Sequence, residues 1–210
     1  MMMHHIMAIT YTWWRGDDLP LLPSFPDFRC EPVTDVPLLT KLLNVEATKI
    51  EARLADANTA YVAFIQDEPA GYGWSGANSV GVGDMFWPMS PNSRGLWDFF
   101  TLESARGRGV YPHLLQAILR REQHEAETFW LGHRVDNHAS KRGIEKAGFS
   151  LVNWVVLTPE RQFRLVPRGH LARSHGDPQG MHMGFAEVAD EDMKPFDFGG
   201  LSDEEIHRAL

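Results

Sequence analysis

Cysteine is the scarcest residue in this chain of 210 residues: Cys30 is the only one. A single cysteine excludes an internal disulfide and fits a reducing compartment, so we expect a cytoplasmic location. No apolar run approaches the roughly 18–20 residues that a membrane-spanning helix needs, so no membrane partner is expected. The N-terminus has no basic segment ahead of an apolar one, and a secretory signal is therefore not predicted.

Positive charge is also scarce, since 20 lysines and arginines face 28 aspartates and glutamates and the formal net charge is −8. The chain has no basic stripe, which argues against nucleic acid as a partner. Most of the negative charge lies in residues 186–210, where eight acids and two bases give −6. We expect residues 167–210 to form an acidic, solvated and partly flexible extension.

Several catalytic motifs are missing. There is no HExxH pattern and no cluster of cysteines and histidines, so we predict no metal site despite 10 histidines. Residues 73–77 lack the last glycine of a GxSxG nucleophile elbow, and no GxxxxGK[ST] phosphate loop occurs. The composition, with 43% hydrophobic residues, is that of an ordinary soluble domain with extensions.

The order of predicted strands and helices indicates an α/β fold, with a mixed sheet flanked by helices, over residues 28–166. Residues 1–27 are expected to be an extension that contains an irregular, proline-punctuated strap. Trp13 and Trp14 in this extension would cover an apolar surface of the domain, contact a second subunit or stack on a ligand. Contact with a second subunit would imply a homodimer.

The most informative segment runs over residues 96–115, LWDFFTLESARGRGVYPHLL. Its first part is mainly apolar and aromatic and suits a central strand, after which Gly107 and Gly109 form a turn. Apolar residues then recur with helical spacing and predict a helix that begins near Arg108. Glycines let a backbone approach an anion closely, and a helix N-terminus offers free amides. The segment predicts either a pyrophosphate site or a plain strand–turn–helix connection.

Two motifs in this part of the chain resemble those of the GCN5-related N-acetyltransferases. Residues 105–115, ARGRGVYPHLL, are similar to the acyl-CoA-binding signature of that family, [QR]xxGx[GA]. Residues 137–149 resemble a second signature, an asparagine followed by a helix that ends in a Gly-Phe pair. The resemblance covers roughly residues 28–166. It implies a mixed sheet with a splayed central strand, and acetyl-CoA or another acyl-CoA as the cofactor.

The resemblance also implies which residues hold the cofactor. The end of the central strand would pair with the pantetheine arm through Phe100, Thr101 and Leu102. The glycine loop would hold the pyrophosphate on the backbone amides of Arg106, Gly107, Arg108, Gly109, Val110 and Tyr111. The two arginines would add charge there or lie at the surface beside a turn. Asn137 and Ser140 would contact the pantetheine arm or the departing sulfur, and Asn137 also suits a helix N-cap.

The sequence departs from the family pattern at two positions. Ser104 stands where the family usually has glutamine or arginine, and Ile144 stands where many members have a tyrosine that protonates the departing thiolate. Isoleucine has no proton to donate, so the usual tyrosine-assisted step is not open to this chain. We expect Tyr111 to face the phosphate end of the site and do not assign it as the missing acid.

Asp98 is the predicted general base. It is the only acid in the apolar strand, three residues before Thr101, and burial there would raise its pKa toward a useful range. The alternative is a structural carboxylate that arginine or backbone partners satisfy. His133 and His138 are weaker candidates for moving a proton, because such residues are more often structural or exposed.

We expect direct transfer of an acetyl or other acyl group to the primary amine of a small molecule or peptide. Trp74, Trp87, Trp97 and Phe99 suggest an apolar or aromatic acceptor, although a packed core explains the same residues. The alternatives are an acyl-CoA-binding module with little or no catalytic activity and an acyltransferase that acts on a protein or peptide.

Overall fold

The computed structural model describes residues 3–82 and 85–199. In chain order its strands are β1 (His4–Trp14), β2 (Phe28–Val33), β3 (Asn58–Ile65), β4 (Glu68–Gly76), β5 (Ser79–Val82), β6 (Met85–Pro88), β7 (Ser93–Thr101), β8 (Thr128–Arg134), β9 (Ser150–Leu157), β10 (Phe163–Pro167) and β11 (Met193–Pro195). Its α-helices are α1 (Val36–Leu43), α2 (Ala47–Ala55), α3 (Val110–Glu122), α4 (His138–Ala147), α5 (Leu171–His175) and α6 (Gly180–Met183). Among these helices none is both long and apolar enough to cross a membrane.

Nine of the strands form one mixed sheet, which confirms the predicted α/β fold. The order across the sheet is β10-β9-β1-β8-β7-β4-β3-β2, and β11 pairs with the start of β1. Neighbouring strands are antiparallel except for two parallel pairs, β7 with β8 and β1 with β11. Strands β5 and β6 form a separate hairpin. Strands β8 and β11 therefore pair with the same edge of β1, β8 along residues 8–14 and β11 along residues 4–6.

The structure differs from the prediction at the N-terminus. Within the expected extension of residues 1–27, His4–Trp14 is a central strand between β9 and β8. Trp13 is 1% exposed and contacts Phe129, with ring centroids 5.8 Å apart, so it belongs to the core and does not form an outer cover. The local sequence does not reveal this strand, because its partners come much later in the chain. Residues 15–27 contain no helix or strand, and we call them the strap.

The strap crosses the first turns of α3. Gln116 Nε2 donates a hydrogen bond to the carbonyl oxygen of Pro20 at 2.9 Å. His113 Nε2 lies 3.0 Å from the carbonyl oxygen of Pro23, and the His113 ring also contacts Phe25 edge-on, with centroids 5.2 Å apart. The irregular segment is therefore fixed to the helix that follows the glycine loop.

The acidic C-terminal segment folds onto the sheet as far as Gly199, and residues 200–210 lie outside the described part of the chain. Asp177 is 2% exposed, so its expected position in a solvated loop is wrong. Its carboxylate accepts hydrogen bonds from Thr10 Oγ1 at 2.9 Å and Asn153 Nδ2 at 3.0 Å. Burial raises the pKa of Asp177 above its ordinary value. The local sequence does not reveal this contact, because both donors lie on distant strands.

The sheet has a hydrophobic core on each face. Helices α3 and α4 cover one face, where Leu114 and Phe129 are buried. Helices α1 and α2 cover the other face, where Leu39 and Ile50 pack around Trp74. These leucine and isoleucine residues belong to the apolar stripes that predict the helices from the sequence. The glycine loop is held in place because the helix after it is anchored by its buried stripe.

A bulge interrupts the pairing of β4 with β7. The register shifts between Tyr72 and Trp74, and Asp98 on the opposite strand has a φ of +51°. Aspartate tolerates this left-handed conformation better than most residues other than glycine. The extra residue allows Trp97 and Phe100 to lie on the same face of the sheet as Tyr72 and Trp74.

Candidate active site

Strands β7 and β8 diverge and open a cleft in the middle of the sheet. They pair in parallel over residues 93–95 and 128–130. Beyond this point β7 stays paired with β4, and β8 stays paired with β1. The facing edges of residues 96–101 and 131–134 are therefore separated, which confirms the predicted splayed central strand.

The glycine loop lies at the open end of this cleft. Gly107 and Gly109 have φ values of +76° and +84°, and a Cβ on Gly107 would meet nothing within 4 Å. Helix α3 begins at Val110, two residues after the predicted start at Arg108, because Gly109 takes a left-handed N-cap position. In the described part of the chain, no protein acceptor binds the loop amides that follow Arg106. These amides are available to an anion.

Both arginines of the loop are exposed and lie over aromatic rings. The guanidinium carbon of Arg106 is 5.4 Å from the ring centroid of Phe100, and its Nε donates to the carbonyl oxygen of Thr101 at 3.3 Å. The guanidinium carbon of Arg108 is 5.7 Å from the ring centroid of Phe25 in the strap. Both charges can reach an anion at the loop, but Arg106 must leave Thr101 before another group can pair with that carbonyl.

The three residues predicted to pair with a pantetheine arm differ in how their backbones are used. Phe100 and Thr101 pair with β4, which leaves the other edge of the strand facing the cleft. The Leu102 amide donates to the carbonyl oxygen of Ala70 at 3.0 Å, and the Leu102 carbonyl accepts from the Ala105 amide at 2.9 Å. Leu102 is therefore already engaged within the fold, and the geometry favours Phe100 and Thr101.

Asn137 and Ser140 lie at the start of α4, across the cleft from the glycine loop. Asn137 is the N-cap of this helix, since its Oδ1 accepts a hydrogen bond from the Ser140 amide at 3.0 Å. Asn137 is exposed and Ser140 is partly exposed, so both can contact a bound molecule.

Tyr111 occupies a position that the sequence analysis did not predict. Its ring lies between α3 and α4, where a Cβ on Gly143 would be 2.4 Å from Tyr111 Cδ1. The ring centroid of Phe99 is 5.4 Å away. Burial raises the pKa of Tyr111 to about 12, while the Ser140 hydroxyl acts in the opposite direction. Ile144, next to Gly143, is fully buried. The sequence signal for this arrangement is Gly143, because glycine alone leaves room for the ring.

Asp98 is paired with an arginine that the sequence analysis missed. Arg53 Nη1 donates to Asp98 Oδ2 at 2.6 Å. The Arg53 guanidinium carbon also lies 4.8 Å from the ring centroid of Trp97 and 5.4 Å from that of Trp74. Asp98 has 36% of its side-chain surface exposed, so the expected burial is wrong, and the bulge is the cause. Nothing in the local sequence of α2 marks Arg53 as the partner of a strand residue.

Aromatic side chains cover the face of the sheet around this ion pair. Trp74 stacks with Trp97 at 5.6 Å between ring centroids, and Tyr72 stacks with Phe100 at 5.8 Å. Burial raises the pKa of Tyr72 to about 12, and the negative charge of Asp98 adds to the rise. The Tyr72 hydroxyl is therefore protonated at neutral pH and lies within electrostatic reach of Asp98.

The predicted aromatic lining is only partly assembled on this face. Trp74 and Trp97 belong to it, whereas Phe99 packs into the opposite core against Tyr111. The side chain of Trp87 lies outside the described residues. Phe100 adds an exposed aromatic surface, with 41% of the residue accessible.

The two histidines considered as bases have different surroundings. His133 is buried, its Nδ1 donates to the carbonyl oxygen of Arg134 at 2.6 Å, and its ring stacks on Tyr11 with centroids 5.5 Å apart. Burial lowers the pKa of His133. His138 is exposed at the first residue of α4. Within the described residues, no group of three histidine, cysteine, aspartate or glutamate side chains could hold a metal ion.

Structures of known proteins share this architecture. An acetyltransferase of the GNAT family from Colwellia psychrerythraea is 12% identical with a TM-score of 0.52, and the match covers 74% of this chain and 56% of that chain. The chain thus spans little more than half of that protein. The aminoglycoside acetyltransferase AAC(6')-Ib in complex with coenzyme A and kanamycin is 25% identical with a TM-score of 0.50, over 64% of this chain and 90% of that chain. The complex of AAC(6')-Ib with acetyl-CoA is 23% identical with a TM-score of 0.51.

Sequence comparison gives the family. No curated protein matches the chain significantly. The model of the acetyltransferase (GNAT) family matches residues 24–149, which is more than half of the chain. This range contains the splayed strands, the glycine loop and the whole of α4. The chain therefore belongs to the GNAT acetyltransferase family.

Proposed function

We propose that this protein transfers an acetyl group, or a related acyl group, from acyl-CoA to a primary amine of a small molecule or peptide. The observation that carries the proposal is the cleft between β7 and β8, with the glycine loop at its open end. Its geometry suits a long, thin molecule that has a pyrophosphate at one end and a reactive group at the other.

The residues present fit acyl-CoA. The loop amides after Arg106 would hold the pyrophosphate, and the charges of Arg106 and Arg108 would add to that binding. The strand edge at Phe100 and Thr101 would pair with the pantetheine amides, and Asn137 and Ser140 would line the opposite side. AAC(6')-Ib, which is similar in fold, has been solved with acetyl-CoA and with coenzyme A.

We infer that Asp98 serves the acceptor. When bound, acyl-CoA supplies the acyl group as a thioester. In direct transfer the amine nitrogen bonds to the acyl carbon, the carbon–sulfur bond breaks, and the sulfur leaves as a thiolate. Asp98, at the bulge on the strand beside the cleft, accepts the proton that the ammonium must lose before it attacks, directly or through water. The second proton leaves the nitrogen as the amide forms and passes to the departing thiolate or to solvent water. Its bond to Arg53 must open first, because the guanidinium occupies the carboxylate oxygen that the ammonium would contact.

Two further expectations belong to this proposal. We propose a cytoplasmic location on the basis of the single cysteine, Cys30, whose pKa burial raises to about 12, so that its thiol is unreactive. Trp13 is buried within its own chain and therefore gives no support for a homodimer.

The first test is calorimetric titration of acetyl-CoA and CoA into the wild-type protein and into Gly109→Glu. The new side chain would bring a negative charge and backbone strain to the loop, so micromolar binding should be lost. Gly16→Glu is the matched control, because Gly16 also has a positive φ, of +98°, but lies beyond the far end of β1. Absence of binding to folded wild-type protein would overturn the proposal.

A module that binds acyl-CoA without turnover is the second candidate. Two observations favour it: the buried Ile144 cannot donate a proton, and Asp98 is held by Arg53. A screen of primary amines in the presence of acetyl-CoA separates the transferase from the binding module. Turnover is detected as the release of free thiol. Binding with no thiol release for any small or peptide amine would select the binding module.

A further inference from the structure

Arg53 reaches across the covered face of the sheet to a strand residue at the cleft. Its guanidinium is held by a carboxylate at 2.6 Å and lies over two indole rings, at 4.8 and 5.4 Å from their centroids. The carboxylate belongs to Asp98, and the rings belong to Trp97 and Trp74. These three side chains are the features by which proteins recognise an organic cation, namely a negative charge beside aromatic faces.

The arrangement is more specific than a surface ion pair. Trp74 is 0% exposed, and within the described residues its buried Nε1 has no hydrogen-bond partner. Asp98 projects from a left-handed bulge residue, and its carboxylate contacts the same guanidinium as the two indole rings. The site is therefore built by the sheet, and Arg53 is the only part of it that comes from a helix.

Arg53 can be displaced. Side chains with 29% and 36% of their surface exposed form an ion pair of low net strength in water. Arg53 lies in the last turn of α2, and the exposed Asp56 is the C-cap residue of the same helix. A guanidinium that leaves Asp98 thus has a second carboxylate within reach.

We propose that Asp98, Trp74 and Trp97 form the subsite for the reactive ammonium of the acceptor, and that Arg53 is a resident competitor which the acceptor displaces. The inference rests on the proposed function, because it assigns the acceptor end of that site. Displacement brings the ammonium of the acceptor to the Asp98 carboxylate, which takes its proton. The same event removes the Arg53 guanidinium that would otherwise block this transfer. The acceptor class is a cationic amine without a carboxylate beside its nitrogen.

A different role for Arg53 predicts the opposite behaviour. If the guanidinium instead anchored an anionic group of the acceptor, its removal would weaken acceptor binding. The two roles therefore differ in the sign of the effect of a single substitution.

The experiment titrates spermidine, a cationic amine without a carboxylate, into the protein and follows heat or tryptophan fluorescence without acetyl-CoA. We expect Arg53→Gln to bind spermidine about tenfold more tightly than wild type, which corresponds to about 1.4 kcal/mol. Arg53→Lys should give an intermediate affinity, because its ammonium still competes. Asp98→Asn should lose the binding. Unchanged or weaker binding by Arg53→Gln would overturn the inference.

Arg29→Gln is the matched control. Arg29 also pairs with a carboxylate, that of Glu31, and lies 4.2 Å from the ring centroid of Phe64, but it belongs to the edge strand β2. This variant should bind spermidine as wild type does, and a gain equal to that of Arg53→Gln would show a net-charge effect and overturn the inference. Because no acyl-CoA is present, failure of the proposed transferase activity appears separately, as absent acetyl-CoA binding or turnover.

Discussion

The ring of Tyr111 lies so close to Gly143 that a Cβ there would be 2.4 Å from Tyr111 Cδ1. This contact joins the helix after the glycine loop to the helix that carries Asn137 and Ser140. The two walls of the cleft are therefore coupled through one aromatic side chain. A ring cannot turn away as the end of a flexible side chain can, so the spacing of α3 and α4 depends on the absence of a side chain at Gly143.

We predict that Gly143→Ala destabilises the protein by about 1–3 kcal/mol, since overpacking forces the ring or a helix to move. The sign of the change in the free energy of unfolding is informative, because alanine in a helix interior normally stabilises a protein by about 1 kcal/mol relative to glycine. Urea unfolding gives the free-energy change. In a Tyr111→Ala background the same substitution should become stabilising, and destabilisation in both backgrounds would contradict this account.

We predict that His113→Ala loosens the strap from α3. Both ring nitrogens of His113 face carbonyl oxygens, that of Gly109 at 2.7 Å and that of Pro23 at 3.0 Å, and the ring contacts Phe25. Removing the imidazole should speed chymotrypsin cleavage in the strap at Phe25 several-fold, because local opening of the strap costs less free energy. His124→Ala is the control, since His124 is exposed just beyond the end of α3. Equal cleavage of both variants would show that His113 does not anchor the strap.

The sequence predicts the cleft well because its signals are local. A buried strand, two glycines and an amphipathic helix follow one another within about twenty residues, and Asn137 caps the helix that it precedes. The structure moves the start of α3 by two residues, to Val110, and otherwise keeps this order.

The features that the sequence did not predict depend on contacts between distant segments. Strand β1 is recognisable only once its neighbours β8 and β9 are placed, and the pairing of Arg53 with Asp98 depends on a helix lying over the sheet. Asp177 lies in a loop-like segment of the acidic C-terminal region, which predicts exposure, yet its hydrogen-bond donors are Thr10 and Asn153 in the sheet. Composition cannot show that one acid among many is buried.

Stability should fall in mild acid because of His133. Burial lowers its pKa in the folded state below the ordinary value of 6.5, so the unfolded chain binds a proton first as the pH falls. The contribution is fully present above about pH 6.5 and is lost between this value and the lower folded pKa. Urea titrations from pH 7.5 to 5.5 should show a weaker decline for His133→Asn, whose amide can still donate to the carbonyl of Arg134. An equally steep decline would show that other groups dominate.

Asp98→Asn tests the chemistry at the bulge. We expect thiol release in the presence of an amine acceptor to fall by about 10²–10⁴-fold, the usual contribution of a general base, because asparagine cannot accept the proton of the ammonium. The dissociation constant of acetyl-CoA should change little, since the Asp98 carboxylate pairs with Arg53 of α2, and α2 covers the face of the sheet that α3 and α4 do not. Glu125→Gln is the control, because Glu125 also pairs with an arginine, Arg94, but lies beyond the end of α3 away from the glycine loop. A matched loss of affinity and turnover would assign Asp98 to cofactor binding, and unchanged turnover would remove it from the reaction.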